Sequence, residues 1–195
     1  SDDSIAEEEM KQSEINELLK EAAGAMKKHN WVLPPEPEWS ATDFGLGDYN
    51  KTGLVEVLLA NEPEYCEKIM YAREGMVTPA HTHYEKKEDI IVRYGKLRIT
   101  LWAKNPSEGD VKGSVQVKIN RKMEEHQSGV PFELHAGSRI TLTSGIFHEF
   151  APAGGYALIG EVSTFCNEET DNIFANPKVD IFQAPVADEK VAVPV

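Results

Sequence analysis

Only two cysteines, Cys66 and Cys166, occur in the 195 residues, a hundred positions apart. That scarcity excludes a disulfide framework and any thiolate zinc motif, and points to two reduced, inert thiols. Long apolar runs are also missing: no stretch approaches the roughly 20 residues of a spanning helix, so no membrane segment is expected. Positive charge is in short supply. Twenty Lys and Arg face 33 Asp and Glu, a formal net charge of −13, which disfavours nucleic acid or an anionic membrane as partner. Much of the acidity falls in the first 20 residues and at Glu62, Glu64 and Glu67, where it reads as solvated surface. The opening SDDSIAEEEM has neither the basic flank nor the apolar stretch of a secretory signal, and a cytoplasmic location follows as the simplest expectation. What is present, 41% hydrophobic and 27% charged residues, suits a globular chain with one core.

Residues 13–28, SEINELLKEAAGAMKK, place Ile15, Leu18, Leu19, Ala22 and Met26 at helical intervals, with Ser13 as candidate N-cap and two lysines in the last turn. Met10 followed by KQSEIN looks like a translation start, so residues 1–9 read as an extension outside the fold. Pro34, Pro35 and Pro37 end any helix, and the segment to about residue 50, with Trp31, Trp39 and Phe44, reads as an irregular arm packed on the body. From residue 51 short β-like runs follow one another: 54–60, 66–72, the TPAHTH segment, 89–94, 96–103, 114–120, 131–135, 139–143, 148–152 and 156–165. Many short strands without helical patterns between them argue for an antiparallel sandwich or small barrel. The tail after Asn176, with Pro177, Pro185 and Pro194, reads as an extended segment on the surface. The organisation expected is therefore 1–50 for extension, helix and arm, 51–176 for the barrel, and 177–195 for the tail.

Six histidines are available, and two of them, His81 and His83, are one residue apart. Alternate residues of a strand share a face about 6.6 Å apart, so an extended TPAHTH aims both imidazoles at one place. A carboxylate on the strand after the YEKK turn can fold back to that place if the two strands pair, about 4.8 Å apart. Glu88 suits this best, since it shares a face with Ile90 and Val92, whereas Glu85 falls in the turn. His148, which opens a strand and follows Gly145, is the candidate fourth ligand. Three imidazoles and one carboxylate suit Mn²⁺, Fe²⁺, Co²⁺, Ni²⁺ or Zn²⁺ and leave one or two open positions in an octahedral site, which implies chemistry. His29, His126 and His135 read as ordinary polar residues.

These residues resemble a known pattern. Gly75, five residues, His81-Thr-His83, four residues, Glu88, six residues and Gly95 reproduce the first cupin motif at every position. Gly137, Thr143-Ser-Gly145 and His148 resemble the second, with Thr143 and Pro152 departing from it at turn residues and not at ligands. KQSEIN after Met10, HTHYEKKEDII at 81–91 and GEVSTFCNEETDNIF at 160–174 narrow the likeness to the D-lyxose ketol-isomerase family of cupins, over most of residues 10–176. The resemblance implies an all-β, cupin-type antiparallel barrel (jelly roll) with an N-terminal helix, a manganese ion, a homodimer, and interconversion of D-lyxose and D-mannose with D-xylulose and D-fructose.

Moving a proton between C2 and C1 of a sugar requires a base close to both carbons. Glu161 is the candidate: on the strand YALIGEVSTF it shares a face with Ile159, Ser163 and Phe165, where desolvation raises a carboxyl pKa. Lys86, between two ligands in sequence, is expected to donate to the sugar oxygen or fix its negative charge, and Asp171 to hold hydroxyls or orient Glu161. A sugar-phosphate isomerase would need a basic cluster that Lys86, Lys87, Arg93 and Arg139 do not form. A cupin dioxygenase would need neither Lys86 nor Glu161, and a metal-free binding cupin would not fill all four ligand positions.

Overall fold

Strict alternation of buried and exposed residues survives only where one strand face meets solvent, as in β7 (Ser114–Ile119). By contrast β3 (Cys66–Ala72) is buried on both faces except at Glu67, and the reason is a helix. In the computed structural model, which describes residues 9–194, α1 (Gln12–Lys28) packs on the outside of β1 (Glu38–Thr42) and β2 (Leu54–Asn61). Leu18, Leu19, Ala22 and Met26 of α1 join Val55, Val57, Ile69 and Tyr71 in the core, and the Tyr71 hydroxyl donates to Glu21 of α1 at 2.6 Å. The other faces of the same strands look into the barrel.

The chain forms a cupin-type jelly roll of two antiparallel sheets behind that N-terminal helix. The larger runs β1-β2-β3-β12-β5-β10-β7-β8, and the smaller β13-β4-β11-β6-β9. Their members are β4 (Thr78–His83), β5 (Glu88–Tyr94), β6 (Lys96–Trp102), β8 (Lys122–Gln127), β9 (Phe132–His135), β10 (Arg139–Leu142), β11 (Phe147–Pro152), β12 (Ala157–Ser163) and β13 (Asn172–Phe174). Gly95 joins β5 to β6 at φ +82, and a Cβ there would lie 2.7 Å from the Tyr156 carbonyl oxygen, so only glycine fits this corner.

Several local expectations are corrected. The helix begins at Gln12, and Lys11, not Ser13, is the capping position; its N–H donates to Glu14 at 3.0 Å. Ser13 instead bonds the Asp188 carboxylate through both backbone and hydroxyl, and Asn16 donates to Glu189 and to the Lys190 carbonyl. The tail therefore clamps the start of α1. It also crosses the barrel mouth, where Asp180 N–H donates to the Phe44 carbonyl at 2.9 Å. The arm is not wholly irregular, because β1 pairs with β2 from Glu38↔Leu58 to Thr42↔Leu54. Three strands, β1, β8 and β13, carry too little apolar alternation to be seen in sequence; β8 is exposed along nearly its whole length. A two-residue turn at Asn120–Arg121, both with positive φ, folds β8 onto β7. Of residues 1–9, the expected extension, 1–8 lie outside the described residues.

Candidate metal centre

His81 and His83 sit on β4 with both side chains inside the barrel, while Thr82 between them points away and accepts from Gly145 N–H at 3.0 Å. His148 of β11 lies directly across from His81 in the ladder. Glu88 arrives by a different route from the hairpin expected. β4 and β5 do not pair; they belong to opposite sheets, and the turn at residues 84–87 carries the chain across the barrel so that Glu88 faces the three histidines from the other wall. One ligand atom from each of the four residues falls within 4.8 Å of every other, all four buried.

The protonation pattern fits a cation at that point. Each imidazole gives its Nδ1 proton to a backbone carbonyl: His81 to Pro79 at 2.9 Å, His83 to Asp171 at 3.1 Å, His148 to Ile146 at 3.0 Å. The Nε2 atoms turn inward, that of His83 to 3.2 Å and that of His148 to 2.9 Å from Glu88 Oε1, and His148 Nε2 and Glu88 Oε2 have no hydrogen-bond partner although buried. Burial together with the neighbouring imidazoles holds His81 well below the usual imidazole pKa, so it stays neutral. Burial alone would push Glu88 up, but the Lys86 ammonium and the two histidines hold it well below the usual carboxylate range. Three imidazoles anchored through Nδ1, with Nε2 turned inward, and one ionised carboxylate converging on a single point are the donor set of a divalent metal.

Beside this cluster lie two lysines and three further glutamates. Lys86 Nζ is 3.3 Å from Glu88 Oε2 and 3.8 Å from Glu161 Oε2, and it is held charged against its burial by those two carboxylates. Burial pushes the Glu161 carboxyl up to about 8, with the Lys86 ammonium acting against the shift. Its surroundings are charged, where the sequence pattern had suggested apolar ones. Lys68, opposite Glu161 in the β3–β12 ladder, approaches Glu161 at 3.8 Å, Glu56 at 3.6 Å and Glu168 at 2.8 Å. Sequence reasoning missed Lys68; the available signal was a lysine sharing a strand face with Cys66 and Met70 in an apolar run. It also missed Phe44 and Ile181, which arm and tail bring into the same cavity. Phe44 holds a positive φ of 59, stabilised where its N–H donates to Thr42 and its carbonyl accepts from Asp180.

Asp171 is placed otherwise than expected. Its two carboxylate oxygens accept from the backbone N–H of Glu85 at 2.9 Å and Lys86 at 3.1 Å, and its own carbonyl receives the His83 proton. It faces the turn, not the cavity. Removing those acceptors strands one buried donor, that of Lys86, and one part-buried donor, that of Glu85, so Asp171→Ala should cost about 2–3 kcal/mol. Scanning calorimetry should show this as a Tm lower by roughly 5–10 °C, and an unchanged Tm would contradict the assignment. Among the remaining histidines, His29 bonds the Tyr156 hydroxyl at 2.7 Å, His126 pairs with Glu124 at 3.1 Å, and His135 is exposed beside Glu133. None is near the cluster.

A family model described as D-lyxose isomerase matches residues 36–193. D-lyxose/D-mannose isomerase of Escherichia coli O157:H7 is 32% identical, with 86% of this chain and 89% of that protein covered. D-lyxose ketol-isomerase of Cohnella laeviribosi is 27% identical over 88% and 95% respectively. Among solved structures, L-ribose isomerase of Acinetobacter sp. DL28 in complex with L-ribose superposes with a TM-score of 0.73 at 16% identity, covering 93% of this chain and all of that one. This last likeness is one of fold.

Proposed function

Since the chain belongs to the D-lyxose isomerase family, we propose that it interconverts free aldoses and ketoses, D-lyxose with D-xylulose and D-mannose with D-fructose. His81, His83, Glu88 and His148 would hold a divalent ion, with manganese the proposed choice. When bound, that ion polarises the sugar carbonyl and offsets the charge of the enediolate. The observation that carries the reading is the meeting of an unpartnered, elevated carboxyl and a charged ammonium beside the four ligands: Glu161 Oε2 has no hydrogen-bond partner, and Lys86 Nζ lies 3.8 Å away.

In this arrangement Glu161 removes the proton from C2 of the aldose and returns it to C1, one carboxyl serving both carbons from the same side of a planar enediolate. Lys86 donates to the oxygen on which negative charge gathers, and its hold on Glu88 keeps that ligand ionised. Lys68, fastened to Glu56 and Glu168, keeps Glu161 pointing inward. Phe44, Phe174 and Ile181 cover the mouth and limit the water that would compete for the proton. A homodimer and a cytoplasmic location complete the proposal, both carried over from the reading of the sequence.

The cavity favours a neutral sugar over a phosphorylated one. Its two lysines, Lys68 and Lys86, and the proposed divalent ion are together matched by the four carboxylates of Glu56, Glu88, Glu161 and Glu168, so no unpaired positive charge is left to receive a dianionic phosphate. Assayed with Mn²⁺ against a panel of free and phosphorylated aldoses, the protein should form ketose from free D-lyxose and D-mannose. Ketose only from the phosphorylated sugars, or oxygen consumption without ketose, would overturn the proposal.

A further inference from the structure

An apolar wall leads from the histidine cluster to the mouth of the cavity. The Phe174 ring of β13 lies 5.4 Å from the His81 ring, and the Phe44 ring meets Phe174 edge to face at 6.2 Å. Ile181 continues this lining at the mouth. Arm and tail are drawn together there: Asp180 N–H donates to the Phe44 carbonyl at 2.9 Å, and a Cβ on Gly45, at φ +68, would stand 2.8 Å from the Asp180 carbonyl oxygen. The wall thus runs outward through Phe174 and Phe44 to Ile181. The two covering residues differ in freedom. Phe44 is buried and belongs to the core. Ile181 is half-buried, on a stretch of tail that, between Asn176 and Val186 and among the described residues, has one hydrogen bond to the rest of the chain, that of Asp180. Its neighbour Phe182 is 62% exposed and faces a separate outer groove.

We infer that Ile181 sets how long a sugar the cavity accepts, favouring a five-carbon over a six-carbon aldose. This rests on the isomerase reading, which decides the end of the sugar that is held inside: C1 and C2 must lie at Glu161 and Lys86, so the remaining carbons extend along the apolar wall to the mouth. The enclosed space is about 80 Å³, room for roughly five to eight waters at about 10–15 Å³ each, which is less than either sugar occupies. A bound sugar is therefore accommodated by outward displacement of the cover, and the weakly tied Ile181 is the part that yields. D-mannose repeats the configuration of D-lyxose at C2, C3 and C4 and is longer by one hydroxylated carbon at the far end. That carbon arrives against the Ile181 side chain, where its hydroxyl finds no acceptor and its volume strains the bond between Asp180 and Phe44.

The test measures kcat/KM for D-lyxose and D-mannose in the metal-loaded protein. Wild type should prefer D-lyxose. Ile181→Ala should raise the mannose-to-lyxose ratio about tenfold, the low end of the roughly 10–200-fold that one carbon is worth in an apolar pocket, and Ile181→Phe should lower it by a similar factor. Phe182→Ala, adjacent in the chain but facing outward, should leave the ratio as in wild type. A wild type that prefers D-mannose, a ratio unmoved in both Ile181 variants, or a ratio moved as far by Phe182→Ala would overturn the assignment. Calorimetric titration with D-arabitol and D-mannitol, unreactive polyols that carry the hydroxyl patterns of the two sugars, separates size selection from catalysis. Ile181→Ala should gain affinity for D-mannitol relative to D-arabitol. If wild type converted neither sugar, the isomerase reading would fail and the polyols would still decide the role of Ile181; an unchanged relative affinity, or no binding of either polyol, would overturn that role.

Discussion

Replacing Glu161 with Gln should lower turnover of D-mannose by about 10²–10⁴-fold while leaving bound metal and fold unchanged. The substitution keeps the shape of the side chain and removes only its ability to take a proton. Glu161 is not one of the four clustered ligands, so the ion has no reason to leave. Nor should KM rise in step with the loss, because a group that acts on the carbon-bound proton contributes little to holding the ground state. The pH profile gives a second signature. A base works deprotonated, so turnover is present above the pKa of Glu161 and falls as pH drops through it; burial sets that value at about 8 without a cation, with the Lys86 ammonium opposing the rise. A bound divalent ion favours the ionised form and moves this acid limb lower. Lys68→Met, which removes a cation 3.8 Å from the carboxylate, should move it higher. In Glu161→Gln the limb should vanish. Turnover retained at the wild-type level would remove Glu161 from the mechanism.

Glu88→Gln should behave in the opposite way, losing metal first and activity as a consequence. Glu88 is the one anionic member of the cluster, and its carboxylate faces the Nε2 atoms of His83 and His148 at 3.2 and 2.9 Å. Neutralising it should weaken metal affinity by at least ~100-fold, beyond the typical cost of losing a supporting contact. Part of the activity should return at high Mn²⁺ concentration, which cannot happen in Glu161→Gln. Isothermal titration of both variants with Mn²⁺ separates the two roles. Equal affinity for the ion in Glu88→Gln and wild type would remove Glu88 from the ligand set.

Much of this site was legible in the chain because its parts are short-range. His81 and His83 are two positions apart on one strand, so a period of two suffices to aim them together. Glu88 could be selected over Glu85 by its share in an apolar face with Ile90 and Val92. The route was misread, because a four-residue turn looks like a hairpin whether it stays within one sheet or crosses to the other. Lys68, Phe44 and Ile181 reach the cavity from three distant segments, and a single sequence carries no register between them. The bonds of Asp171 were hidden for a related reason: an acidic residue near a proposed site suggests substrate, while the backbone donors of Glu85 and Lys86 that it serves have no signature in residue type. Strand β8 escaped notice because a hairpin exposed nearly everywhere has no apolar alternation to display; the tail was legible as an extended surface segment but its anchors, Asp188 on Ser13 and Val186 on Gln12, were not, since they span the whole chain.

The central claim is that three imidazoles and one carboxylate enclose a single cation on which isomerisation depends. Protein stripped with a chelator and then titrated with Mn²⁺, with bound ion measured by elemental analysis and ketose formation followed in the same samples, tests it directly. Activity should be absent at the start, rise in proportion to bound ion and level off at one ion per chain. Full activity in the stripped protein, or no uptake of ion at any concentration, would contradict the account.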